Sequence, residues 1–413
     1  MKRVVVTGIG VVSPLGNDVE TLWKNAVAGK NGVGPITRFD ASKFKTQFAC
    51  EVKDFDPSIY LDRNEIKKTD LFTQYALYAA AQAIADSNFD SAALSPYDIG
   101  VIWGSGQGGM ETLEIEIKDF VENNYQPRFN PFLIPKFIAN MAPGMIAIKH
   151  GFRGMSFTTV SACASTNTAL MDAVNYIRLG KAKIMISGGS EAPITEASIG
   201  GFTSMKAMSN LNENPQGACK PYDSTRNGFV IAEGGGALVL EDYDHAIQRG
   251  AKIYCEVVGS SMTTDAYHMT SPLENGEAAA HAMNLALSEA GIQAAQIDYL
   301  NPHATSTPVG DICEMEAIRT VFGDNPQSLA ISATKSMTGH LLGGAGAIES
   351  ILCIKAIENG MIPPTINIEH LDEKIPAGIH IVRDKALRKE VHYAMNNSFG
   401  FGGHNAITIF KKI

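Results

Sequence analysis

The chain has few of the features that mark disulfide frameworks, zinc ribbons or membrane proteins. Its six cysteines are scattered over 413 residues without a CxxC pair, so their spacing predicts neither disulfides nor a metal site. No apolar run approaches the roughly 18 residues that a membrane helix needs. Gly8 and Gly10 interrupt the apolar N-terminus and no cleavage site follows, which favours a first strand over a signal peptide. We expect a cytoplasmic protein with no membrane contact.

Positive charge is also in the minority, with 34 Lys and Arg against 43 Asp and Glu and a net charge of -9. Because phosphate contacts depend on a positive surface, this balance argues against a nucleic-acid partner. Hydrophobic residues make up 45% of the chain, which is enough for a substantial core. Four cations are candidates for a local basic patch, although taken alone they are typical of an ordinary solvated surface. They are Arg63, Lys67, Lys68 and Lys206, and Arg128 is a further candidate.

Short β-type runs alternate with helical patterns, which predicts an α/β fold with parallel strands. The clearest unit covers residues 156–190: a β run, a turn of small residues around Cys163, and a helix that ends at Gly180. A strand at 329–332, a small-residue turn and a helix at 347–358 repeat that unit. Two glycine-rich segments, 228–240 and 398–410, also match each other as hairpins. We predict two similar halves, residues 1–250 and 251–413, that share an interface.

Cys163 is the strongest candidate nucleophile. It lies in a turn that leads directly into a helix, where free amides and the helix dipole favour an anion, so its thiol is expected to ionise readily. The residues on both sides of it are small and leave room for a substrate. The other five cysteines are expected to be buried hydrophobes or incidental. They are Cys50, Cys219, Cys255, Cys313 and Cys353.

A thiol that forms a thioester needs groups that polarise a carbonyl and manage a proton, and histidine suits both tasks. His303 and His340 lie in loop-like stretches of the kind that α/β proteins place at strand ends. The turn at 333–340 is predicted to take the place in the second half that the Cys163 turn takes in the first. Lys335 can orient a carboxylate, with Glu349 as a candidate partner, although a purely structural ion pair explains both equally well.

The segment from Gly400 to Gly403 has backbone amides free of side-chain crowding, as an oxyanion hole requires. A tight hairpin without a catalytic part is the alternative. A dinucleotide site at Gly8-x-Gly10 is rejected, because Pro14 and Gly16 prevent the immediate helix that such a motif needs.

Four ordered segments resemble the β-ketoacyl-acyl carrier protein synthases over nearly the whole chain, and most of all the synthase II type of bacterial fatty-acid elongation. They are Val160-Ser-Ala-Cys163-Ala-Ser, Pro302-His303-Ala-Thr-Ser-Thr, Lys335-Ser-Met-Thr-Gly-His340 and Ser398-Phe-Gly-Phe-Gly-Gly403. The resemblance implies the thiolase-like fold, in which two similar halves form a five-layered α-β-α-β-α sandwich, normally as a homodimer.

The resemblance also implies a mechanism. An acyl group passes from the phosphopantetheine of acyl carrier protein to Cys163, malonyl carrier protein loses carbon dioxide, and the resulting enolate attacks the thioester. His303 and His340 stabilise the enolate, Lys335 supports them with Glu349 beside it, and the amides of Cys163 and Phe401 hold the acyl oxyanion. No permanently bound cofactor and no metal is implied.

The remaining implied roles concern binding. Phe399, Phe401 and Asp265 match loops that gate the entrance, Thr305 and Thr307 match the pantetheine contacts, and the four cations above become a dock for the acidic carrier protein. Two features depart from the usual pattern. Pro302 and Ala304 replace alanine and glycine beside His303, which predicts a stiffer loop. Gln107 stands where an apolar residue often lines the acyl pocket, so a specialised polyene or polyketide substrate stays open.

Two other classes share this fold. A degradative thiolase acting on coenzyme A esters would carry a second reactive cysteine in the second half, whereas here two histidines occur. A chain-length factor, which is a non-catalytic partner of an active synthase, would lack the nucleophile that Cys163 supplies. We therefore expect an acyltransferase that performs decarboxylative condensation.

Overall fold

The structure is a computed structural model that describes residues 2–413. Its strands are β1 Val4–Val12, β2 Gly34–Pro35, β3 Phe48–Ala49, β4 Ile99–Gly104, β5 Ser156–Thr159, β6 Ile184–Glu191, β7 Gly234–Asp242, β8 Cys255–Thr264, β9 Tyr299–Asn301, β10 Ala330–Ile331, β11 Met361–Ile362, β12 His380–Ile381, β13 Leu387–Arg388, β14 Tyr393–Gly400 and β15 His404–Lys411. Its helices are α1 Val19–Val27, α2 Arg63–Lys68, α3 Leu71–Ser87, α4 Met110–Glu122, α5 Leu133–Phe137, α6 Met141–His150, α7 Ser165–Arg178, α8 Glu196–Ser204, α9 Tyr243–Gln248, α10 Glu277–Ala290, α11 Gly310–Phe322, α12 Lys335–Thr338 and α13 Ala345–Asn359.

The main sheet contains two five-stranded units of the same topology. Their orders are β1-β7-β6-β4-β5 and β8-β15-β14-β9-β10. In each unit the first three strands pair antiparallel and the last two join in parallel. A short antiparallel contact between β1 and β8 joins the units, and β12 extends the second. The same order and the same directions in both units confirm the predicted duplication.

Helices α7 and α13 form the middle layer of the sandwich, because each packs against strands of both units and against the other. Helix α3 covers β1, β7 and β6 on one outer face, and α10 covers β8 and β15 on the other. Every residue of α13 from Ala345 to Ile357 is buried, as expected for a helix enclosed on all sides. This arrangement is the predicted thiolase-like, five-layered fold.

Two details of the predicted duplication are wrong. Residues 398–410 do form a hairpin, with Gly400 opposite His404, but β7 pairs with β6 and not with the apolar run at 229–232. The counterpart of the Cys163 turn is also displaced. Both α7 and α13 begin from a 3-10 turn whose first residue has a positive φ, 50° at Ala162 and 48° at Leu342. The residue equivalent to Cys163 is therefore Gly343, beyond the predicted 333–340 turn.

The N-terminal apolar segment forms β1, so the interpretation of it as a first strand is confirmed. In the part of the chain that the structure describes, no helix has the length and apolarity to cross a bilayer.

Candidate active site

Cys163 lies in the 3-10 turn between β5 and α7, at the inner end of a cavity of about 420 Å³. Only 8% of the residue is exposed, and that fraction faces the cavity. Gly400 packs against this turn so closely that a Cβ there would lie 2.4 Å from the Ser161 carbonyl oxygen. The hairpin of the second half therefore fixes the nucleophile of the first.

Both predicted histidines lie beside the thiol, and His340 contacts it. His340 Nε2 lies 3.1 Å from Cys163 Sγ, and the His303 and His340 rings are nearly perpendicular with centroids 5.3 Å apart. The backbone amide of His340 donates to the Val230 carbonyl over 2.8 Å. This hydrogen bond holds His340 against the first half of the chain. Cys163 Sγ, one ring nitrogen of His303 and one ring nitrogen of His340 all lie within 4.8 Å of one another.

Burial dominates the electrostatics of the thiol. It raises the pKa of Cys163 to about 12, although the Lys335 charge and two backbone amides favour the thiolate. The expectation that the turn and the helix dipole make this thiol ionise readily is therefore wrong for the resting chain. Loss of solvent outweighs the helix end, so the thiol needs a base at the moment of attack, and His340 Nε2 is in contact with it.

The two imidazoles are neutral near pH 7. Burial, followed by the Lys335 charge, holds the pKa of His340 well below its usual value, and the same causes together with His340 lower the pKa of His303. Neither Nδ1 atom has a hydrogen-bond partner among residues 2–413. The protein therefore fixes the position of each ring without fixing its tautomer.

Lys335 and Glu349 form a buried ion pair through Nζ and Oε1, as one of the two sequence interpretations proposed. Burial raises the pKa of Glu349, while the lysine charge opposes that rise. Cys219, predicted to be incidental, donates its Sγ–H to the Lys335 carbonyl over 2.9 Å. The charge of Lys335 lowers the pKa of both histidines, so this pair also contributes to the site.

The backbone amides of Cys163 and Phe401 both oppose the rise in the pKa of the Cys163 thiol, as N–H groups close to the sulfur do. Gly402 and Gly403, with φ of 88° and 78°, make the turn that aims the Phe401 amide. Two amide donors beside the nucleophile are what the predicted oxyanion hole requires.

Two loops meet at the cavity mouth, as the gating roles require. The Asp265 amide donates to the Gly403 carbonyl and the Gly402 amide to the Met269 carbonyl, each over 2.8 Å. Asn405 Nδ2 donates to Asp265 Oδ1 over 2.7 Å. The Phe399 ring lies 5.7 Å from the His303 ring. These three hydrogen bonds join the two loops.

Thr305 and Thr307 line the cavity, with hydroxyl oxygens 3.3 Å apart. Asp311 accepts from the amides of Ser306 and Thr307, and burial raises the pKa of this carboxyl to about 6. The buried Asp311 carboxyl therefore holds the backbone of this loop, and the loop presents the hydroxyl groups of Thr305 and Thr307 to the cavity.

Sequence reasoning missed two buried carboxylates. Glu314 accepts from the amides of His303 and Ala304, at 2.8 and 2.7 Å, and burial raises its pKa to about 7. Glu191 accepts from the amides of Gly106 and Gly343, and so joins the loops of the two halves beside the nucleophile. Neither lies within a cysteine or histidine motif, and the fold brings each carboxylate to the loop whose amides it accepts from. Glu314 also holds the loop that Pro302 was predicted to stiffen.

Several predicted binding residues lie outside the cavity. Gln107 does not line it, and its Oε1 accepts from Ser198 Oγ over 3.1 Å. Arg63, Lys67 and Lys68 are exposed on α2, whereas Lys206 is exposed and lines the cavity. Cys313, predicted in a loop, lies in α11 and faces the cavity as well.

Fold and site together define a thiolase-like ketosynthase, with its cysteine and its two histidines contributed by duplicated halves. Residues 1–246 match the profile described as "Beta-ketoacyl synthase, N-terminal domain", and residues 254–369 match "Beta-ketoacyl synthase, C-terminal domain". The chain belongs to the beta-ketoacyl synthase family.

Curated relatives match over the full length. The chain is 45% identical over 411 residues to 3-oxoacyl-(acyl-carrier-protein) synthase 2 of Synechocystis sp., covering 100% of this chain and 98% of the relative. It is 44% identical over 411 residues to the protein of the same name from Staphylococcus aureus, with the same coverage.

Solved structures match equally completely. The ishigamide ketosynthase/chain length factor is 33% identical with a TM-score of 0.93, covering 100% of this chain and 99% of that one. A type II polyketide ketosynthase, in complex with its acyl-carrier protein and bound to the hexaketide, is 33% identical with a TM-score of 0.89 and the same coverage.

Proposed function

We propose that this chain catalyses the decarboxylative condensation of an acyl group, carried on Cys163, with malonyl-acyl carrier protein in fatty-acid elongation. The observation that carries the proposal is the position of one thiol within 4.8 Å of a ring nitrogen of each of two neutral histidines, beside a cavity of about 420 Å³. The relatives named 3-oxoacyl-acyl-carrier-protein synthase 2 support the same substrate class.

In the first half-reaction Cys163 Sγ attacks the thioester carbonyl of acyl-phosphopantetheine. His340 Nε2, at 3.1 Å, accepts the thiol proton and returns it to the departing pantetheine thiolate. The amides of Cys163 and Phe401 stabilise the tetrahedral oxyanion. The products are the acyl-enzyme and a free carrier thiol.

In the second half-reaction malonyl carrier protein loses carbon dioxide, and the electron pair of the broken bond forms an enolate. His303 and His340 donate hydrogen bonds to its oxygen. Neither Nδ1 atom has a hydrogen-bond partner that fixes the tautomer of its ring. A ring nitrogen that accepted a proton in the first half-reaction can therefore donate an N–H in the second. The enolate carbon then attacks the acyl thioester, and the Cys163 thiolate leaves and takes up one proton from solvent, which restores the thiol.

The cavity favours an alkyl chain and its carrier arm. At about 420 Å³ it lies in the range of ligand pockets, and its walls near the nucleophile include Phe202, Phe229 and Leu342. Thr305 and Thr307 offer hydroxyl groups to the pantetheine amides. A polyketide substrate would be polar along its length, and Gln107, whose side chain bonds to Ser198, does not extend into this cavity.

Acyl carrier protein is the proposed partner, docking beside Lys206 at the cavity mouth and on the α2 cations. A solved neighbour with its acyl-carrier protein bound supports this partner class.

A second copy of the chain is proposed to pair along β5, which forms one edge of the sheet and is followed by Val160, exposed over 64% of its surface. Six free cysteines fit the reducing cytoplasm.

The decisive experiment compares Cys163→Ala with Cys313→Ala, because both side chains face the same cavity. We expect the first variant to lose acyl-enzyme formation and condensation by at least about 10³-fold and to keep its fold. The second variant should retain both activities. Intact-protein mass spectrometry reports the acyl-enzyme, and a Cys163→Ala variant that still extends acyl carrier protein would refute the proposal.

A further inference from the structure

The nucleophile and its histidines have the composition of a metal-ligand set. Cys163 Sγ and one ring nitrogen each of His303 and His340 lie within 4.8 Å of one another, with 3.1 Å between Sγ and His340 Nε2. Tetrahedral zinc, with bonds of about 2.3 Å to sulfur and about 2.0 Å to nitrogen, places ligand atoms roughly 3.3 to 3.6 Å apart. The three atoms need shifts of at most about 1 Å to reach those separations.

The donor chemistry and the surroundings both suit a borderline-soft cation. Thiolate and imidazole together select zinc and its neighbours over magnesium or calcium. The cavity leaves a fourth position open to water or to a substrate atom. Lys335 is paired with Glu349, and the Glu314 carboxyl lines the same cavity.

We propose that the unacylated site binds one divalent zinc-type ion through Cys163 Sγ and a ring nitrogen of each of His303 and His340, and that this ion blocks acyl transfer. On binding, the S–H bond breaks, its proton passes to solvent and a metal–sulfur bond forms, with no change of oxidation state. The inhibitory part of this inference rests on the proposed function, whereas the binding part does not.

The structure also indicates that the ion is a reversible inhibitor and not a resident cofactor. Resident zinc ligands usually donate their second ring nitrogen to a carboxylate or carbonyl, and loss of that support costs about 10- to 100-fold in affinity. Here both Nδ1 atoms lack a partner among the described residues. An acyl chain on Sγ removes the thiolate ligand, so acylation and metal binding exclude each other.

Cobalt(II) is the probe, because it takes the same ligands as zinc and reports a thiolate bond by its near-ultraviolet absorption. Titration of the full chain should give one equivalent with that absorption. Cys163→Ala should abolish it, and His303→Ala and His340→Ala should weaken binding by at least about tenfold. The matched control is Cys313→Ala, which removes another thiol of the same cavity and should leave the spectrum unchanged. Circular dichroism verifies that each variant is folded.

Alkylation gives a second readout that needs no turnover. Zinc should protect Cys163 from iodoacetamide, and prior acylation should prevent the cobalt spectrum. Equal cobalt absorption in Cys163→Ala, or alkylation unchanged by saturating zinc, would overturn the metal site. A wild-type chain that shows the cobalt spectrum but never condenses substrates would instead contradict the proposed function, so the two failures are distinguishable.

Discussion

His340 Nε2 contacts Cys163 Sγ at 3.1 Å although 177 residues separate them in the chain. The contact crosses the interface of the two halves, since Cys163 follows β5 and His340 precedes α13. His303 shares the site but makes no hydrogen bond to the sulfur. The two histidines are therefore expected to fail differently when replaced.

The first prediction separates their roles. His340→Gln should slow acylation of Cys163 by about 10²-fold or more, because the attacking thiol loses its base. His303→Gln should acylate within a few-fold of wild type but release carbon dioxide from malonyl carrier protein at least about 10²-fold more slowly. Mass spectrometry of the acyl-enzyme and a carbon dioxide assay measure the two steps. Equal loss of acylation in both variants would contradict this division.

The second prediction concerns the buried pair of Lys335 and Glu349. Lys335→Met leaves a buried carboxylate unpaired and should lower the free energy of unfolding by about 3 to 5 kcal/mol. The double variant Lys335→Met with Glu349→Leu should recover most of that loss, because no charge remains buried. Urea denaturation measures both. If the double variant is as unstable as the single variant, the loss of stability does not come from the unpaired Glu349 carboxylate, and the prediction is wrong.

The same double variant tests the electrostatic role of Lys335. The lysine charge lowers the pKa of His303 and His340, so removing it should raise both. As the pH falls, the imidazoles of the double variant should become protonated at a higher pH than in the wild type. The acid limb of the pH–rate profile should therefore shift to higher pH. An unshifted limb in a folded double variant would assign the pair a purely structural role.

The order of motifs along the chain predicted the duplicated fold and the three side chains at its centre, because strand–turn–helix units and loop histidines leave local signals. Longer-range effects were not predictable. Burial reverses the expected ionisation of Cys163, and that depends on how the Phe401 turn and the second half cover it. Glu191 accepts from the amides of loops that are 85 and 152 residues away in the chain, and Glu314 accepts from the amides of the His303 loop, and neither contact has a sequence signature.

The third prediction concerns pH and stability through Glu314. Burial raises the pKa of this carboxyl from about 4.5 to about 7, so the folded chain holds a proton that the unfolded chain releases between those values. The contribution of Glu314 to stability is thus present below pH 4.5 and is lost as the pH rises through 7, by about 3 kcal/mol in total. Glu314→Gln should flatten this part of the stability curve. Unfolding free energies at pH 5 and pH 8 measure it, and parallel curves would contradict the assignment.

The fourth prediction concerns carrier-protein docking at Lys206. Lys206→Glu should raise KM for acyl carrier protein substrates by about tenfold at low salt, because one attractive charge becomes repulsive. It should leave a carrier-free acyl-pantetheine thioester nearly unaffected. Lys412→Glu is the matched control. Lys412 is exposed and directly follows the C-terminal end of β15, whereas His404 lies at the N-terminal end of that strand. Equal effects on both substrates would place Lys206 in pantetheine binding and not in docking.

The fifth prediction concerns the free edge of β5. That strand bonds only to β4, and the apolar residues that flank it, Met155 and Val160, are exposed over 43% and 64% of their surfaces. A monomer would leave unpaired amides and carbonyls beside apolar side chains, which favours association of two copies across this edge.

Light scattering should therefore give a mass of twice 44.2 kDa. Val160→Asp buries an unpaired charge at that edge and should weaken the dimer by at least about tenfold. Ile247→Asp is the control, because Ile247 is 55% exposed on α9, which packs on β1 and β7 away from β5. If Ile247→Asp dissociates the dimer and Val160→Asp does not, the copies meet on another face.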